Sequence, residues 1–129
     1  MAKKFKGEIK YHLLHANSLI KQLGNATDES IKRLQNGLDL ALPFALGIFE
    51  KSKYEDELIA DGIFNGEEEL RKSWEAEITQ VLSETQLITP VLDSIEPEFG
   101  GRYGEHTEHL QPLLSEMSEV FNTDPTAEW

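Results

Sequence analysis

Apolar residues recur along this chain at intervals of three and four, the spacing of one face of a helix. Ile9, Leu13, Ala16, Ile20 and Leu23 form the first such stripe and predict a helix over residues 5–23, with Gly24 as its stop. Asn25 and Ala26 turn the chain. Thr27 or Asp28 then caps a second helix, and Asp28 and Glu29 lie in its first turn, where the helix dipole favours acid. Its stripe is Ile31, Leu34, Leu38, Ala41 or Leu42, Ala45, and Ile48 or Phe49. Pro43 falls inside it. Proline removes a backbone hydrogen bond, so a kink or break is expected just before it. From Leu42 to Phe49 the chain is apolar on nearly every side, which predicts deep burial or contact with a partner; Phe44 and Phe49 are the candidate interface residues.

A connection follows over Lys51–Gly62, with a short helix at Tyr54–Ala60 and a turn at Asn65–Gly66. Leu70, Trp74, Ile78 (or Glu77), Val81 and Leu82 predict a third long helix from Glu67 to Leu87, ended by Pro90. Asp93–Gly104 reads as an irregular loop. Leu110, Leu113, Leu114, Met117, Val120 and Phe121 then predict a fourth helix running to about Asn122. Pro112 near its start predicts a separate turn over Thr107–Gln111. Residues 123–129 read as a tail with only Trp129 to order it. No segment alternates with period two for the length of a strand, and no repeat is visible. The expectation is one all-α domain over residues 1–129: a helical bundle of about four long helices and one short one.

At 129 residues the chain suits one domain and can bury roughly two thirds of its unfolded surface. With a net charge of −12 and no compensating basic face visible, no nucleic-acid partner is expected. The absence of cysteine excludes disulfides and thiolate sites and suits a cytoplasmic location. No apolar run reaches the ~20 residues of a membrane helix, and the basic start Met1–Lys6 is not followed by an apolar signal core.

The chemistry-bearing residues gather in two places. All four histidines fall in His-x-x-His pairs, His12 with His15 and His106 with His109. Glu8, Tyr11, His12 and His15 share one helix face, and Glu105, His106, Glu108 and His109 crowd a single turn. Imidazole and carboxylate are the donors that zinc or iron takes in a cysteine-free protein, so a His12/His15/His106/His109 site is one reading. The other is hydrogen bonding across helix interfaces. Gly100, Gly101, Arg102 and Gly104 before a helix start could form an anion nest for a phosphate such as that of CoA, or a plain glycine loop. No P-loop, nucleophile elbow, Ser-His-Asp order or dinucleotide fingerprint is present.

Several blocks together carry a resemblance. Glu8-Ile9-Lys10-Tyr11-His12-Leu13, Leu23 to Ser30, Gly100-Gly101-Arg102, His106-Thr107-Glu108-His109-Leu110, Glu116-Met117 and Trp129 keep their order along the whole chain. In these the chain resembles the phenylacetic acid catabolic protein family, in its structural (C) subunit type. The resemblance implies a ferritin-like helical fold and a non-catalytic subunit, or part of one, of a complex that epoxidises the ring of phenylacetyl-CoA. It implies a catalytic A subunit as partner, with the di-iron cofactor confined to that partner. It also implies a match to the C-terminal half of proteins about twice as long, either as a natural short form or as part of a longer protein. A ferritin-like di-iron site needs two Glu-x-x-His motifs and two further glutamates. Here Glu8 is followed at that spacing by Tyr11, and Glu105 by Glu108. No metal ligand or catalytic residue is therefore carried over. Glu8, Tyr11, His12, His106, Glu108 and His109 are expected in structural or interface roles. A stand-alone helical metal protein and a plain oligomeric interaction module are the rival readings. Half a bundle leaves its stripes uncovered, so a homodimer is expected.

Overall fold

The computed structural model describes residues 2–127, with side chains over 5–127, and Trp129 lies outside them. Among the described residues there are six α-helices and no strand: α1 Ala2–Leu23, α2 Asp28–Gly47, α3 Glu55–Ala60, α4 Glu67–Ser83, α5 Leu110–Met117 and α6 Glu119–Thr123. Two single 3-10 turns, Leu92–Ser94 and Gly101–Tyr103, interrupt the loop between α4 and α5. The all-α helical bundle expected from periodicity is the architecture observed.

The α1–α2 turn is built from local polar bonds. The Thr27 hydroxyl accepts the Ser30 N–H at 3.2 Å, and the Ser30 hydroxyl accepts the Thr27 N–H at 3.1 Å, closing a reciprocal cap on α2. Gly24 does stop α1, but not through a left-handed backbone. A Cβ there would lie 2.9 Å from the Thr85 Cβ, so glycine is needed for close approach of the segment after α4. That segment is tied down at the same place. The Gln86 N–H donates to the Gly24 carbonyl at 3.0 Å, and the Asn25 amide donates to the Glu84 carbonyl at 2.9 Å. Lys21 pairs with Glu84 at 2.6 Å.

Two expected boundaries are corrected. Of the kink or break expected at Pro43, the break does not occur: helix α2 runs through Pro43 as a single element to Gly47. Only the bond a residue-43 N–H would have made is lost, and burial of Leu42 and Leu46 on either side holds the helix together. Helix α4 ends at Ser83 rather than Leu87. The Thr85 hydroxyl donates to the Leu82 carbonyl at 2.7 Å and accepts the Leu87 N–H at 3.2 Å, capping the helix well before Pro90. The fourth helix starts at Leu110 and divides at Ser118, whose hydroxyl donates back to the Leu114 carbonyl at 2.7 Å.

The core is small. Leu42, Leu46, Phe49, Leu82 and Leu87 are its buried apolar residues. Phe49 packs on Trp74 with ring centroids 5.5 Å apart. The structure thus chooses Leu42 over Ala41, Phe49 over Ile48, and Ile78 over Glu77 as inward positions. The α1 stripe behaves differently. Helix α1 packs on α2 and α4 near its C-terminal end, where Ile20 is half-buried, but every described side chain over 5–16 is exposed, Ile9 to 66%. The core-facing role expected for Ile9 is therefore corrected, whereas Leu13, half exposed, lines the edge of the α1–α4 cleft beside Trp74 and Ile78.

Candidate functional site

The end of α2, the start of α4 and the glycine-rich loop meet around three acids. Glu50, Glu55 and Glu67 are buried, exposed to only 8%, 7% and 8%. A buried carboxylate is costly unless it is paired or accepts hydrogen bonds. Each of these finds partners in a different way.

Glu50 follows α2 after a tightened last turn, in which the Phe49 and Glu50 N–H groups donate to Leu46 and Gly47. This sets its side chain beneath the glycine loop. Its Oε1 accepts the Gly100 N–H at 2.7 Å and its Oε2 the Arg102 N–H at 3.0 Å. Gly100 at φ 109° and Gly104 at φ 93° bracket the Gly101–Tyr103 turn and present those amides inward. Of the two readings of Gly100, Gly101, Arg102 and Gly104, a nest or a plain loop, the amides show which partner they meet. The nest exists, and its anion is the chain's own Glu50 carboxylate.

Arg102 completes the lock. Its Nη2 donates to Glu67 Oε1 at 2.5 Å and to the Ile48 carbonyl at 3.0 Å. Tyr103 donates its hydroxyl to the Lys51 carbonyl at 2.9 Å. Glu55, on α3, accepts the Glu67 N–H through Oε1 at 3.1 Å. It supplies the cap that Gly66 cannot, at the end of α4 where the dipole is positive. Glu55 Oε2 is the one buried side-chain oxygen without a partner among the described residues. On the rim, Asp56 raises the Lys51 pKa above its ordinary value, through a hydrogen bond and then its charge.

Beside this lock lies a half-open groove of about 670 Å³, lined by Phe44, Ile48, Phe99, Leu110, Leu113 and the polar edge of Arg102, His106 and His109. Glu98 and Phe99 of the strap over 97–99 line it. The Glu98 N–H donates to the Pro43 carbonyl at 3.0 Å, and a Cβ on Gly47 would collide with the Glu98 carbonyl oxygen. The groove brings Phe44, Arg102, His106 and His109 together. Phe49 is not at an outer surface but in the core against Trp74.

The histidines do not converge. His12 and His15 lie on the exposed part of α1, where Tyr11 stacks on His15 with ring centroids 6.2 Å apart. His106 lies in the loop before α5 and His109 at its N-cap position; both are exposed. The hydrogen bonds expected for the His106, His109 and Glu108 side chains are corrected: none is made among the described residues. This turn is held by backbone instead, the Leu110 N–H donating to Thr107 at 3.2 Å. Glu8 is exposed near His12. Among the described residues no three His, Asp or Glu side chains are placed to hold a metal ion. The donor set does not fit a di-iron site on spacing either, since neither Glu-x-x-His frame is present.

The family described as phenylacetic acid catabolic protein matches residues 1–129. The chain belongs to that family. One relative is the C subunit of the 1,2-phenylacetyl-CoA epoxidase of Escherichia coli (strain K12), 33% identical over 122 residues. The match covers 95% of this chain and 48% of the relative, so the chain spans about half the length of the curated relative it matches. Phenylacetate catabolism is thereby its family context. Among the described residues no helix is long and apolar enough to cross a membrane.

Reading the sequence for function missed Glu50, Glu55 and Glu67, because acids are ordinarily solvated. A signal was present. Gly66 offers no side chain to cap α4, and the glycine loop carries free amides, so both needed an acceptor from elsewhere in the chain.

Proposed function

We propose that this chain is a non-catalytic structural subunit, or part of one, of a multicomponent epoxidase acting on phenylacetyl-CoA in cytoplasmic phenylacetate breakdown. Its bundle belongs with the ferritin-like folds, and the di-iron chemistry resides in a catalytic A subunit that it contacts. The observation that carries this reading is the fate of its acids. Where a ferritin-like oxygenase would turn glutamates toward iron, this chain uses its buried ones as structural acceptors. Glu50 holds the glycine loop, Glu55 caps α4, and Glu67 holds Arg102. The similarity to a C subunit over 95% of the chain supports the same assignment.

The test is co-expression with the catalytic subunit of the same source. The two chains are expected to co-purify, and epoxidation of phenylacetyl-CoA is expected only from the pair. Turnover by this chain alone with near-stoichiometric metal would sink the reading, as would failure to bind the catalytic subunit.

A further inference from the structure

Among the described residues two apolar faces are exposed, and they carry opposite charge. The first is the N-terminal part of α1. Phe5, Ile9 and Leu13 follow one another at four-residue spacing and are all exposed. Lys6 and Lys10 flank that stripe. Over residues 1–24 the only acid is Glu8, against five lysines. The second face is the α5–α6 pair, where Leu113, Met117, Val120 and Phe121 are exposed, Met117 to 73%. From Tyr103 to the end of the chain there is no lysine or arginine, and Glu116 and Glu119 lie on these two helices.

We propose that α1 of one copy docks across α5–α6 of a second copy, and reciprocally, to form a twofold dimer. The Phe5–Ile9–Leu13 stripe covers Leu113, Met117 and Val120, while Lys6 and Lys10 face Glu116 and Glu119. Complementary charge selects the occupant. In a chain of net charge −12, most of the surface repels a second copy. The lysine-bearing arm against the acidic C-terminal helices is the approach that attracts it. Reciprocity makes the same patch serve twice, which closes the assembly at two. The inference rests on these faces and not on the epoxidase reading: self-association tests one, and binding to the catalytic subunit tests the other.

Light scattering and sedimentation of the full chain should give twice the 14.6 kDa chain mass at micromolar concentration. Lys6→Glu with Lys10→Glu should weaken the dimer about tenfold or more. Adding Glu116→Lys with Glu119→Lys should restore it. Circular dichroism of each variant confirms that the helices persist. A folded monomer overturns the proposal, including one that pairs only with the catalytic subunit. So does a dimer whose affinity is unmoved by the lysine reversal, or not recovered by the double reversal.

Discussion

The loop lock around Glu50 and the arm at the start of α1 were equally rich in sequence signals, and they differ in who satisfies them. At the lock, every element answers another: the glycine turn supplies amides, Glu50 accepts them, Arg102 bridges to Glu67, and Glu55 caps α4. Along the arm, a regular stripe with Lys6 and Lys10 beside it is exposed at Phe5 and Ile9 and reaches α4 only at Leu13. Periodicity alone therefore identifies a face that will be buried without saying by what. The lock gives this chain a shape of its own; the arm leaves an apolar stripe exposed.

The largest expected effects break the contrast directly. Leu46 is almost fully buried, so Leu46→Ala should lower unfolding free energy by about 2–5 kcal/mol in urea titration. Ile9→Ala, measured dilute enough that the chain is monomeric, should change it by less than about 0.5 kcal/mol. Equal losses would mean the arm is packed in solution.

Next is Glu50→Ala, which strands the Gly100 and Arg102 amides. Two hydrogen bonds to a charged acceptor are lost, and a destabilisation of about 2–4 kcal/mol is expected. Glu50→Gln keeps an acceptor oxygen and should cost less. If both substitutions are silent in thermal melts, the loop is not held as described.

Gly47→Ala sharpens the comparison from the groove side. The added Cβ would meet the Glu98 carbonyl, which is backbone and cannot simply rotate away. A loss of about 1–3 kcal/mol is expected, with faster amide exchange at Glu98 as the strap lifts from Pro43. Gly7 lies in open space on the arm, and Gly7→Ala should instead be neutral or slightly stabilising through helix propensity.

The smallest effect is electrostatic. Hydrogen bonds from the Thr126 hydroxyl and then its amide hold the Asp124 carboxyl below its ordinary pKa. A depressed carboxylate pKa stabilises the turn above the unfolded pKa, and that contribution is lost as pH falls through the folded one. Carbon-detected NMR titration should show Asp124 ionising below the usual aspartate range, and Thr126→Val should move it back. An unmoved titration would mean the turn does not form.

Much of the fold was legible because its causes are local. Helices α1, α2 and α3 fall within three residues of the ranges predicted from apolar spacing and turn residues, and the Thr27 cap is where the pattern puts it. The family was legible in blocks such as His106-Thr107-Glu108-His109-Leu110. The end of α4 was not, because the Thr85 hydroxyl stops it and nothing in the stripe marks that residue.

The sequence by itself determined that this chain is helical, which face of each helix is apolar, and to which family it belongs. These follow from side-chain spacing, propensity and ordered motifs. Only the tertiary structure decided what each face and each charge does. It turned Glu50 inward as the anion of the glycine nest, ran α2 unbroken through Pro43, and kept the histidine pairs from converging into a ligand set. The physical reason is that a buried carboxylate, an amide nest or a metal site exists only where residues far apart in sequence are brought within hydrogen-bond reach. Glu50 and Gly100 are 50 residues apart along the chain and 2.7 Å apart in the fold.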